Sequence, residues 1–201
     1  MVNITVSGSQ LLTSQQLQAL QNHYGQAAVK RIEDWQAMII VNRNESERQK
    51  LEIVNRYFNR MEFISDMEHW GKKDYWATPV EFIATAAGDC EDFSIAKYFT
   101  LRELGIETEK LRLIYVKATS INQAHMVLGY YKNADAEPLI LDNLEPEIQP
   151  ASLRQDLIPS YSFNGNSLWQ AKMLREGGIK VGKSANIGIW KMLMERMEIK
   201  H

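Results

Sequence analysis

Apolar residues recur at helical spacing through the first third of the chain. Leu17, Leu20, His23 and Tyr24 share one stripe, and Ala28, Ile32, Trp35 and Ile39 continue it beyond Gly25, a candidate break. Ser14 to about Arg43 therefore reads as a helical region, and a second helix starts near Ser46, carrying Leu51, Val54, Phe58 and Met61. Met and aromatic stripes of this period pack cores, so no chemistry is assigned to them. Thr78-Pro79-Val80-Glu81 marks another helix start, with Thr78 as cap, Pro79 in the first turn and Glu81 closing a capping box. Asp89 caps the next helix. Asp92 follows three residues later, Phe93, Ala96, Thr100, Leu101 and Leu104 keep the spacing, and Gly105 closes the end, which makes Cys90 the first helical residue.

Beyond residue 110 the period falls to two. Leu111 to Val116 is strand-like, and Ala124 to Tyr131 alternates, with His125, Val127, Gly129 and Tyr131 on one face and Met126, Leu128 and Tyr130 on the other. Lys132-Asn133-Ala134-Asp135 reads as a turn and Pro138 to Asn143 as the returning strand. If Tyr131 stands opposite Ala136, His125 faces Asp142 directly, close enough for the carboxylate to bond the imidazole. Pro138 cannot donate to a ladder, so a later strand start with a longer loop is the alternative; an even shift keeps both side chains on one face. Ser160 to Asn164 alternates like a further strand, Gly177, Gly178 and Gly182 predict a mobile loop, and Ser184 to about Met197 predicts a closing amphipathic helix with Ile187, Trp190, Leu193, Met194 and Met197. Helices first, then a Cys-bearing helix against an antiparallel sheet, make an α+β layout of the papain and transglutaminase kind.

The chain has one cysteine, in Gly88-Asp89-Cys90-Glu91-Asp92-Phe93. A helix N-terminus stabilises a thiolate, whereas Asp89, Glu91 and Asp92 oppose it by like-charge repulsion unless something positive neutralises them. That conflict points to a metal. The competing reading is a small core cysteine behind acids that complement the helix dipole. A lone cysteine becomes a nucleophile candidate when a histidine and an acid accompany it elsewhere, as His125 and Asp142 do here.

Trp76-Ala77-Thr78-Pro79-Val80-Glu81-Phe82, then Gly88 to Tyr98, His125-Met126-Val127-Leu128 and Leu141-Asp142-Asn143 resemble the bacterial transglutaminase-like cysteine proteinases, and among them the LapG-type periplasmic proteases. The resemblance covers about residues 60 to 145 at motif level. It implies Cys90 as nucleophile, His125 as the base that later protonates the leaving amine, and Asp142 as the residue that orients the imidazole. It further implies a calcium-dependent endopeptidase that cuts a large surface adhesin at a paired-alanine site, releasing a biofilm, under an inhibitory inner-membrane receptor for cyclic di-GMP. By its similarity to that family, Trp76 borders the groove; a core position is an equal alternative. Thr85-Ala86-Ala87-Gly88 has the paired alanines such proteases cut. Close packing at the helix entry explains it better than self-cleavage.

Calcium prefers six to eight oxygen ligands in flexible geometry, which clustered carboxylates supply better than they would satisfy zinc. Asp89 and Glu91 are the first choices as ligands and Asp92 and Asp74 the second; a capped helix with solvated acids and no ion is the alternative. A triad alone does not separate hydrolysis from acyl transfer to an amine, as in a transglutaminase. A non-catalytic, calcium-ordered binding module is a third reading, and it needs none of the three triad residues.

Composition narrows the frame. With 201 residues, 45% hydrophobic and 24% charged, the chain can bury a full core. We expect one domain over 1–201, its helical part at about 14–70 and its catalytic core at about 71–201. A net charge of −2 and the lack of a basic stripe interleaved with aromatics argue against nucleic acid, and no run of 18 apolar residues is present to span a membrane. Met1 to Val6 lacks signal-peptide features, which with the single unpaired cysteine would by itself favour the cytoplasm. Joined to the resemblance, this predicts a mature periplasmic form from which the export signal has been removed.

Overall fold

The computed structural model of the chain describes residues 12–170, 174 and 178–197; Met1 to Val6 and Gly177 lie outside them. Helix α1 (Ser14–Tyr24) and helix α2 (Gln26–Val41) are separated by Gly25 alone, whose φ of 83° is one that a side chain disfavours. Helix α3 (Glu47–Phe58) follows. Thr13, Ser46 and, further on, Thr78 each close a capping box with the Gln or Glu three residues later. Strand β1 (Glu62–Phe63) and helix α4 (Asp66–His69) lead to helix α5 (Pro79–Thr85), strand β2 (Ala87–Gly88) and helix α6 (Cys90–Glu103). Helix α6 starts at Cys90 behind Asp89, as the capping pattern predicts, and ends where Gly105 takes φ 90° while the N–H of Ile106 returns to the Leu101 carbonyl.

The strands are β3 (Leu111–Ala118), β4 (Gln123–Tyr130), β5 (Leu139–Leu141), β6 (Gln149–Pro150), β7 (Leu157–Phe163), β8 (Leu168–Gln170) and β9 (Ile179–Gly182). They form one sheet in the order β6-β5-β4-β3-β7-β8-β9, every neighbouring pair antiparallel, and β1 and β2 form a separate parallel pair. Two expectations change at this edge. The stretch with Gly178 and Gly182 is not all loop, because Ile179–Gly182 pairs with β8. The closing helix begins later than Ser184: Ser184–Asn186 is a short 3-10 turn, and α7 runs Gly188–Met197 with Trp190, Leu193 and Met197 buried.

Alternation along β4 sorts the sheet's two faces. Met126, Leu128 and Tyr130 join Leu113, Leu141 and Phe163 in the core shared with the helices, while Val127 packs with Ile114, Val116, Ile140 and Leu157 on the reverse. Trp35, Ile95 and Leu101 are fully buried in this core, and Ile95 and Leu101 are each worth about 1.5–3 kcal/mol of transfer energy. Trp35 Nε1 donates to Thr100 Oγ1 at 2.9 Å, which satisfies the one polar atom that its burial would strand.

The hairpin register differs from the tight-turn expectation. Leu128 pairs with Leu141 and Tyr130 with Leu139, so the loop holds residues 131–138 and Pro138 stays out of the ladder it could not donate to. Asp142 lies beyond the strand end, in line with Val127 and diagonal to His125 rather than directly opposite. The slip is an even number of residues, so both side chains keep one face.

Candidate active site

Gly88 is the narrowest point in the approach to α6. A Cβ there would stand 2.4 Å from Asp92 Oδ2 and 2.9 Å from Phe82 Cδ2, so only glycine lets the chain pass this close to the helix it enters. Just before it, Ala86 is left-handed at φ 58° and caps α5. The Ala86 and Gly88 carbonyls accept from Glu62 and Ile64 N–H, both at 3.0 Å, in the β1–β2 ladder. Ala86-Ala87 is therefore a paired, half-buried or buried backbone element, in keeping with the packing reading of the paired alanines.

Helix α6 docks on β4 at the backbone of one residue, Met126. Ser94 donates to the Met126 carbonyl at 2.9 Å, and the Met126 N–H bonds the Cys90 sulfur. Residues 90 and 94 lie one turn apart, so both face the strand, at a point where β5 has not yet begun to pair with β4. The thiol is thereby held one residue along the strand from His125.

His125 Nε2 lies 2.7 Å from Asp142 Oδ1, and both side chains are buried, at 3% and 0% exposure. Asp142 Oδ1 also takes the Leu144 N–H at 3.0 Å, and Oδ2 takes an Nη2 donation from Arg154 at 2.7 Å. Burial opposes ionisation of this carboxyl, but the bonds from His125, Leu144 and Arg154 outweigh it and hold Asp142 down at about 2. An ionised Asp142 makes Nε2 the protonated ring nitrogen and leaves Nδ1 as the basic one.

The acids around Cys90 gather as the local charge pattern predicts, with one addition. Carboxylate oxygens of Asp66, Asp74 and Glu91 come within 4.8 Å of one another, as do those of Asp66, Asp89 and Asp92. Burial first, then neighbouring carboxylates, pushes Asp66 up to about 6 and raises Asp89 and Asp74 as well. Asp66 Oδ1 and Asp89 Oδ1 are buried with no hydrogen-bond partner. An oxygen left this way costs on the order of 1–3 kcal/mol unless a cation or donor meets it. Asp92 differs from the rest: Oδ1 takes the Ala77 N–H at 2.7 Å and Oδ2 the Asp89 N–H at 3.3 Å, stapling the entry of α5 to the start of α6.

Cys90 is partly exposed, and its Sγ lies 2.8 Å from Glu91 Oε2. Burial, then the charge and hydrogen bond of Glu91 and the charge of Asp89, raise the thiol well above its ordinary range, against a smaller opposing effect of the Met126 N–H. The carboxylate thus keeps the proton on sulfur. Tyr115, stacked on Tyr161 at 5.2 Å, flanks the same acids and feels the charges of Glu91 and Cys90.

Trp76 resolves to the core. It is 3% exposed and stacks on Phe163 at 5.8 Å, so it does not line a groove. Three buried groups escaped sequence reasoning. Asp66 is 24 residues from Cys90 and reaches it because β1 pairs with β2, which brings α4 beside the helix entry. Arg154 follows a short 3-10 turn that carries no motif. Lys97, fully buried, shares the 90–94–97 stripe of α6 and feels the charge of Asp142, yet in sequence it reads as an ordinary solvated lysine.

A family model described as bacterial transglutaminase-like cysteine proteinase BTLCP matches residues 21–159. Solved structures of Legionella pneumophila LapG are similar over nearly the whole chain. One has 42% identity over 94% of this chain and 99% of that one, with a TM-score of 0.80. An EGTA-treated form has 42% identity, the same coverages and a TM-score of 0.81; a calcium-bound form has 41% identity, 93% and 100% coverage and a TM-score of 0.78. No curated protein sequence matches the chain.

Proposed function

The chain belongs to the bacterial transglutaminase-like cysteine proteinases and is a cysteine peptidase, and from that premise we propose that Cys90, His125 and Asp142 are its catalytic triad and that calcium switches it on. The observation that carries the switch is the 2.8 Å contact between the Cys90 thiol and Glu91. A nucleophile whose proton is held by an adjacent carboxylate is turned away from its base.

Asp66, Asp89, Glu91 and Asp74 are the residues that would hold the ion; the two orphaned oxygens of Asp66 and Asp89 fit a hard cation that takes oxygen ligands. Asp92, a second choice from sequence, serves as the staple behind them. When bound, calcium supplies the positive charge that removes the repulsion between a thiolate and the surrounding carboxylates. Released from Glu91, the thiol gives its proton to His125 Nδ1 while Asp142 holds Nε2–H. Sulfur then attacks the scissile carbonyl carbon, the leaving amine takes its proton from His125, and water hydrolyses the thioester. The N-terminal N–H groups of α6 face the developing oxyanion.

Likeness to LapG supports the finer reading: a periplasmic endopeptidase acting at paired alanines of a large surface adhesin, governing biofilm release, with an inner-membrane cyclic di-GMP receptor as inhibitor. Among the described residues no helix is long and apolar enough to cross a membrane. The test is incubation of the purified chain with a paired-alanine polypeptide, with and without calcium and an amine donor. Calcium-dependent cleavage, lost in excess chelator and in Cys90→Ala, Asp89→Ala and Glu91→Gln, is expected. Amine incorporation in place of hydrolysis would make it an acyl transferase, and full cleavage in excess chelator would overturn the switch.

A further inference from the structure

We infer that Arg154 is a positioning residue for the triad, forming with Asp156 a relay that sets the carboxylate of Asp142 and, through it, the imidazole of His125. The inference rests on the proposed triad and extends it outward by two residues.

Asp142 has two carboxylate oxygens with separate tasks. Oδ1 meets His125 Nε2 at 2.7 Å, and Oδ2 meets Arg154 Nη2 at 2.7 Å. A carboxylate bonded on one side only can rotate about its χ2 torsion, which is broad and roughly two-fold; one clamped on both sides cannot. Arg154 is in turn fixed by Asp156, whose Oδ1 accepts from Nε at 3.0 Å and whose Oδ2 accepts from Nη2 at 2.8 Å. Asp156 is itself tied to the sheet, because its backbone carbonyl accepts from the Thr119 N–H at 2.8 Å just past β3. The chain of contacts thus runs from the end of β3 to the imidazole through side chains that are 35%, 5%, 0% and 3% exposed.

Stability does not account for the arrangement. The attraction within a buried ion pair is largely offset by the cost of desolvating both charges, and Arg154 Nη1 is buried without a partner, which adds to that cost. Lysine would supply the same charge but not the planar fork that engages Asp142 and Asp156 together. What the guanidinium adds is direction.

The test uses the full chain with calcium present and a paired-alanine substrate. Arg154→Met is expected to lower kcat about 10- to 100-fold, the usual effect of losing the partner behind a catalytic or metal-bound histidine, with KM nearly unchanged. Arg154→Lys is expected to recover only part of the loss. Asp156→Asn, at a half-exposed position that leaves Asp142 paired, should fold normally and show a smaller fall of the same kind. The readout a structural role would not move is the downfield proton resonance of His125 Nε2–H. It should broaden or shift upfield in all three variants while their thermal melts stay cooperative. If the folded variants keep wild-type kcat and an unchanged His125 resonance while Cys90→Ala is inactive, the relay is wrong and the triad stands. If Cys90→Ala or His125→Ala remains active, the triad itself fails, whatever Arg154 does.

Discussion

Lys97 is the buried residue whose chemistry is most at odds with its surroundings. Burial holds its amine down at about 7, against the attraction of Asp142, which raises it. An unfolded lysine titrates near about 10.4. Between those values the folded chain binds fewer protons than the unfolded one, so stability rises with pH across that window and its gain is complete above it. Lys97→Met removes the group and should remove that rise. Urea unfolding at about pH 7 and about pH 9 would compare the two chains, and parallel pH trends would refute a depressed lysine. The prediction belongs to one side chain because it needs only the burial of Nζ. The same logic explains why Cys90 was legible and Lys97 was not. A lone cysteine behind a capping Asp is rare enough to read, whereas lysines occur throughout the chain and only packing distinguishes this one.

At the level of elements, the joint between α6 and β4 matters most. Both bonds from the helix fall on Met126, so Ser94→Ala strands the Met126 carbonyl in a buried site. We expect a loss of about 1–3 kcal/mol by denaturant unfolding and a fall in kcat as the N-terminus of α6 loosens; an unchanged unfolding midpoint would mean the carbonyl finds another partner. The helix boundaries were readable because caps are local: Thr78, Ser46 and Asp89 each stand where the pattern places them. The hairpin was only half readable. Alternation assigned the faces correctly, but turn length is set by where β5 can pair, and Pro138 moved that start beyond the tight loop. Short strands such as β1, β2, β6 and β8 carry two or three residues each, too few for a period to register.

Over the whole molecule, calcium binding at the acidic cluster, as proposed, would couple activity to stability. Its carboxylates come from α4, the loop before α5 and the start of α6, so an ion bound there would tie three segments that are otherwise joined by loops and short ladders. Free calcium at about 100 times its Kd would add roughly 2.7 kcal/mol to the folded state. For a chain of this length that corresponds to a Tm increase of roughly 5–10 °C. Scanning calorimetry with calcium, with chelator and with Asp66→Asn and Glu91→Gln would read it. A Tm indifferent to calcium in the unmodified chain would count against the cluster as an ion site.

Residue order and local pattern were enough to read the starts of α1, α3, α5 and α6, the two faces of β4 and the acids beside the thiol. Each depends on neighbours within a turn or on strict alternation, interactions the chain carries wherever it folds. Strand pairing chose between the two registers that Pro138 left open and set Asp142 diagonal to His125, and packing buried Trp76, delivered Asp66 through the β1–β2 pair and placed Arg154 behind Asp142. Those outcomes depend on contacts between segments far apart in sequence, and no local preference encodes the burial that gives such groups their altered charge and fixed direction.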